Sequence, residues 1–144
     1  MNTLLLDMVH HNPGEPPFDT RYTDPAFLRS LGFTGQVLKH LNACVPLGEF
    51  PATPEESNWL TGAQAERDAE IAAAKAAGSK IYYHVDLFVL PRAVLDARRD
   101  ELCDEQGRID INRPAVLELH RELIDALFAR YPDVDGLVIR VGET

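Results

Sequence analysis

The stretch Asp135–Thr144, DGLVIRVGET, decides the fold. A turn-forming Asp135-Gly136 leads into an apolar run that only Arg140 interrupts, and the run closes on Gly142-Glu143-Thr144. A near-continuous apolar strand without polar alternation is the mark of burial on both faces, the habit of parallel sheets. Parallel neighbours need crossover connections, so helical patterns should precede this strand.

They do. Tyr131-Pro132-Asp133 ends a helix that Asn112 is read to cap, with Pro114 near its start and Val116, Leu119, Leu123, Ile124, Leu127 and Phe128 as its apolar stripe. Upstream lie the turn EQGR (105–108) and a short helix over RAVLDARRDEL (92–102). Lys80–Phe88, KIYYHVDLF, is a predicted strand whose alternation sends Ile81, Tyr83, Val85 and Leu87 to a packing face. Tyr82, His84 and Asp86 fall on the other face, available for chemistry. Thr61 and Gln64 make a capping-box pair before an Ala-rich helix that Gly78 ends, and the Pro-rich NACVPLGEFPATPEESNW (42–59) reads as the loop before it. GQVLKHL (35–41) is a strand, Asp24-Pro25 opens a short helix that Gly32 stops, and Leu4–Val9 is the first strand, followed by the turn-rich HHNPGEPP (10–17).

The order is parallel βαβαβαβ in one α/β domain over residues 1–144, with strands near 3–9, 35–41, 80–88 and 136–141. Two architectures satisfy it: the N-terminal half of a TIM (β/α)8 barrel, or an open doubly wound sheet. Segments after the strands are long (10–23, 42–60, 89–112) and those leading into strands are short (32–34, 78–79, 132–135), so function is expected at the carboxyl ends of the strands.

Composition narrows the function. The 144 residues are 45% hydrophobic and 26% charged, enough for a folded core. A net charge of −9 argues against a nucleic-acid partner, which needs a basic face. Thr3-Leu4-Leu5-Leu6 is too short for a signal-peptide core and no run approaches a membrane span, so a cytoplasmic chain without a membrane partner is expected. Cys44 and Cys103 stand far apart without metal-ligand spacing and read as reduced thiols. No glycine-rich phosphate loop is present, and no cofactor is expected.

Four of the five histidines, His10, His11, His40 and His84, fall at or just beyond strand ends, joined there by Asp7, Asn42, Asp86, Arg140 and Glu143. Arg140 within an apolar strand calls for a carboxylate partner, Asp7 or Asp86, or for an anionic ligand. Glu143 at a partly desolvated mouth is a candidate general acid. His10-His11 lacks the H-x-H spacing that sets two imidazoles on one strand face, so no metal is assigned, although a metal-dependent barrel hydrolase remains an alternative. Tyr82, Tyr83 and Trp59 are candidate aromatic platforms for a sugar.

The segment NRPAVLELHRELIDALFARYPDVDGLVIRVGET (112–144) resembles the third helix and fourth strand of glycoside-hydrolase-type barrels, loosely those of the α-glucuronidases. The resemblance implies a carbohydrate substrate, Glu143 as general acid, and Arg140, His84 and Asp86 on sugar hydroxyls or a uronate carboxylate. It also implies a fragment of a longer hydrolase, inactive alone because the second carboxylate would come from the other half. Such a half barrel has open sheet edges through which a homodimer can form. A stand-alone α/β ligand-binding module is the remaining alternative.

Overall fold

The computed structural model describes residues 4–7, 20–38 and 44–140. Its elements are β1 (Leu6–Asp7), a 3-10 turn (Arg21–Thr23), α1 (Pro25–Ser30), β2 (Gly35–Leu38), α2 (Pro54–Ala76), β3 (Lys80–Asp86), α3 (Arg92–Leu102), α4 (Pro114–Arg130) and β4 (Gly136–Arg140). The four strands form one all-parallel sheet in the order β1-β2-β3-β4. Among the described residues the strands therefore lie in the same order in space as in the chain.

Local chemistry sets the boundaries. Asp24 accepts from the Ala26 amide at 2.9 Å ahead of Pro25. After α1, Gly32 takes φ +93°, and the amides of Gly32 and Phe33 turn back to the carbonyls of Arg29 and Leu28. Gly78, at φ +71°, ends α2 the same way through Lys75 and Ala74, a conformation that carries little strain only without a Cβ. α2 itself begins eight residues earlier than Thr61 suggested. Thr53 accepts from the Glu56 amide at 3.1 Å while Glu56 accepts from the Thr53 amide, with Pro54 at the first helical position. A threonine followed by Pro and then Glu satisfies two orphan amides at once and outcompetes Thr61, whose hydroxyl donates to the Ser57 carbonyl. Likewise Arg113 is the cap residue of α4, because Asn112 is held by Asp110.

One hydrophobic cluster joins α2, β3, α3, α4 and the segment after β2. Ile81, Tyr83 and Val85 enter it from β3, and Val116, Leu119, Leu123 and Leu127 from α4. Cys44, Val45, Leu47 and Phe50 lie in the same cluster, so this part of the expected rim loop doubles back into the helix layer. The Tyr131 hydroxyl and the Gln64 amide both donate to the Cys44 carbonyl, at 3.3 and 3.1 Å. Tyr83 packs edge-on against Tyr131 at 5.3 Å and is fully buried, so it supplies core and not a sugar platform.

β4 departs from the expected doubly buried strand: among the described residues it lies at one edge of the sheet, and Ile139 is 52% exposed. Its pairing is nevertheless pinned at the start, where Asp135 receives the Ile81 amide on its carboxylate at 2.9 Å and donates its own amide to the Ile81 carbonyl at 2.8 Å.

Burial pushes the Cys44 thiol from 9.0 up to about 11, the Tyr131 phenol from 10.0 up to about 12, and the Tyr83 phenol up as well. The unfolded chain therefore loses these protons first, so their contribution to stability is complete below about pH 9 and declines as pH rises toward 12. The melting temperature should follow that decline, and Tyr83→Phe should flatten it. Among the described residues the Tyr83 hydroxyl has no hydrogen-bond partner, so Tyr83→Phe should also be neutral or stabilising by up to about 1 kcal/mol at pH 7. Thr53→Ala should cost about 1 kcal/mol through the lost cap. Urea denaturation checks both; a Tyr83→Phe chain destabilised by more than Thr53→Ala would refute this account of the core.

Candidate functional site

The register of β3 against β4 pairs Tyr82 with Gly136, His84 with Val138 and Asp86 with Arg140. Because Ile81, Tyr83 and Val85 point into the helix-side core, Tyr82, His84 and Asp86 stand on the opposite face, and Gly136, Val138 and Arg140 stand beside them. Gly136 has a positional reason: a Cβ there would meet the Tyr82 ring at 3.2 Å, so the ring lies across the bare glycine backbone. Asp86 and Arg140 end their strands, which brings a carboxylate and a guanidinium together at the carboxyl end of the sheet.

The two groups are held differently. One Asp86 carboxylate oxygen accepts from the Phe88 amide at 3.2 Å, an Asx-type turn closed by the Val89 amide on the Asp86 carbonyl at 3.2 Å. The other lies 3.8 Å from Arg140 Nε, an ion-pair distance longer than a hydrogen bond. The Asp86 side chain is 13% exposed and that of Arg140 40%, so the expected buried guanidinium is half open to water. A contact of this kind contributes at most about 1 kcal/mol to stability.

A second support comes from a residue that sequence reading left aside. His120, buried on α4, lies with Nε2 2.8 Å from the Leu87 carbonyl. A carbonyl only accepts, so Nε2 carries the proton and donates. The Leu87 amide in turn donates to the Arg140 carbonyl at 3.2 Å. The turn after Asp86 is thus tied to α4 on one side and to β4 on the other. The available signal was position, since His120 falls between Leu119 and Leu123 on the apolar stripe of α4.

Of the sequence-derived residues, the structure brings together His84, Asp86 and Arg140. His84 is buried on the rim face. Asp7 is buried too, but it pairs with Gln36, which pairs with Ile81, and so shares the helix-facing side. It also sits on β1, the opposite edge from β4, three strand spacings or roughly 14 Å along the sheet, which removes it as the Arg140 partner. His10, His11, His40, Asn42 and Glu143 lie outside the described residues. Among the described residues no three His, Cys, Asp or Glu side chains gather as metal ligands. Trp59 is exposed on α2 and packs edge-on against Phe50. No helix is long and apolar enough to cross a membrane among the described residues.

A cleft of about 250 Å³ opens at the other end of the sheet, between α2 and the turn from α4 into β4. Its cations are already matched: Arg130 bonds Asp68 at 2.6 Å and Lys75 pairs with Asp133. These pairs seal a packing seam, and ligands of open α/β sheets gather at the opposite, carboxyl ends.

No protein-family model, curated protein or solved structure matches the chain.

Replacing His120 with Leu should leave the Leu87 carbonyl without its donor at a cost of about 1–3 kcal/mol. It should also shift the backbone amide resonances of Asp86 to Val89 more than those of β2. Unchanged amides in that turn would show that His120 does not hold it.

Proposed function

We propose that this chain forms one half of a (β/α)8-type barrel of a carbohydrate-active hydrolase, and that its strand-end rim binds a saccharide bearing a carboxylate. The observation that carries the reading is the meeting of Asp86 and Arg140 at the ends of adjacent parallel strands, beside His84 on the face away from the helix layer. The unreversed strand order supports a barrel segment over a doubly wound sheet, since barrel strands follow one another around the ring.

In this reading Arg140 receives the uronate carboxylate, because a planar guanidinium offers paired donors that match two carboxylate oxygens. Asp86, fixed by its own turn, accepts from sugar hydroxyls, and Tyr82 offers a ring face beside them. His84 supplies a further polar contact. Glu143 protonates the leaving-group oxygen, with His10, His11, His40 and Asn42 assigned to the wider rim. Hydrolysis needs a second carboxylate roughly 5 to 9 Å from the first, which the other half of the barrel provides. The isolated chain therefore binds without turning over. Localisation in the cytoplasm is part of the same proposal.

Calorimetric titration with glucuronate and with glucose tests this. Glucuronate should bind at least about tenfold more tightly, the ratio expected of one charge-assisted contact, and Arg140→Ala should erase the difference. Aryl-glycoside hydrolysis by the wild-type chain should stay at background. Equal affinity for the two sugars would overturn the uronate reading, and robust turnover that disappears in Glu143→Gln would overturn the half-barrel reading.

A further inference from the structure

The buried face of α4 carries one side chain that core packing alone does not call for. Leu119 and Leu123 are buried there, and His120 is buried with them. An imidazole in such a place is tolerated only with a hydrogen bond, because an unmatched polar nitrogen inside a core is costly. That bond is made to the Leu87 carbonyl, with Nε2–H donating at 2.8 Å, and the ring is held from the side by Phe88, edge-on at 6.4 Å. The Leu87 carbonyl and the Phe88 amide are the two ends of one planar peptide unit and point in opposite directions. At its other end the Phe88 amide donates to Asp86 Oδ1 at 3.2 Å. One peptide unit therefore separates the imidazole on α4 from the carboxylate at the end of β3.

We infer that His120 is a positioning residue for Asp86, acting through the Leu87–Phe88 peptide and touching no ligand itself. Donation to the carbonyl fixes the plane of that unit and so the direction of the Phe88 N–H. It also polarises the unit, which makes the N–H a stronger donor to the carboxylate. The Asp86 side chain is thereby oriented before a ligand arrives, the support from behind that a precise site requires. The neighbouring Asp86–Leu87 unit is fastened separately: its N–H donates to the Arg140 carbonyl and its carbonyl accepts from the Val89 amide, both at 3.2 Å. His120 thus bears on the carboxylate of the rim, while the β3–β4 pairing bears on Arg140. The consequence for binding rests on the saccharide reading, in which Asp86 accepts from sugar hydroxyls. Glucose and glucuronate share those hydroxyls, so losing His120 weakens both alike and leaves their ratio to Arg140.

Calorimetry with glucose and with glucuronate tests it, alongside amide hydrogen exchange of the sugar-free chain. His120→Leu should lower the affinity for each sugar about three- to tenfold, the worth of one hydrogen bond, with the ratio between them unchanged. His120→Gln, whose side-chain N–H reaches the place of Nε2–H, should restore most of that loss. In an Asp86→Ala background His120→Leu should have no further effect on either affinity, because the two residues lie on one path. Without sugar, the Phe88 amide should exchange faster in His120→Leu and return toward the wild-type rate in His120→Gln. Undiminished affinities in His120→Leu, a loss confined to glucuronate, or an additive loss in the Asp86→Ala background would overturn the inference. A wild-type chain that binds neither sugar would end the saccharide reading, and the Phe88 amide would still decide the role of His120: an exchange rate unmoved by His120→Leu would overturn it.

Discussion

Everything in this molecule depends on the two-residue alternation of β3. Paired on both sides, β3 divides its side chains between a core that would not tolerate a charge and a face that collects them. A slip of one residue would bury His84 and Asp86 among Leu119, Leu123 and Leu127 and would expose Ile81, Tyr83 and Val85. Burying an unpaired carboxylate costs several kcal/mol and stranding three large apolar side chains costs about as much again, so register is decided here. Asp135 reinforces the choice by clamping both the amide and the carbonyl of Ile81.

The rim inherits its geometry from that core. Asp86 is oriented by the amide of Phe88, the turn beyond it is held by His120, and Arg140 arrives through the β4 register. Backbone contacts in the turn and in the β3–β4 register bring this carboxylate and guanidinium to one end of the sheet. Binding sites gain from such preorganisation, since a ligand does not have to order the groups it meets. The opposite end of the sheet has its charges matched in pairs and serves to lock α2 to α4.

Much of this was legible in the sequence because the signals were local. Asp24-Pro25, Gly32 and Gly78 act through capping and backbone conformation within a few residues, and α3 begins and ends where its amphipathic pattern does. The alternation in KIYYHVDLF separated core from rim without any knowledge of neighbours. Reading failed where competition or distance decided. Thr53 and Thr61 both offer caps, and the Pro and Glu after Thr53 prevail. β4 looks doubly buried, yet no apolar pattern reveals whether a strand has a neighbour, and among the described residues this one lies at an edge, with Ile139 exposed. Asp7 and Asp86 looked equivalent as partners of Arg140, and only strand order and register distinguish them. The fold of 44–50 into the helix layer rests on contacts with Tyr131 and Gln64, up to 87 residues distant, which no local rule encodes.

The central claim is that the Asp86–Arg140 end of the sheet is where this chain meets an anionic sugar. The most direct measurement is an NMR titration with glucuronate that follows the Arg140 Nε–Hε resonance together with the backbone amides. The account predicts saturable shifts at Arg140 and from His84 to Val89, with the Asp68, Arg130 and Asp133 seam unmoved. Shifts centred on that seam, or none at Arg140 at saturating sugar, would contradict it.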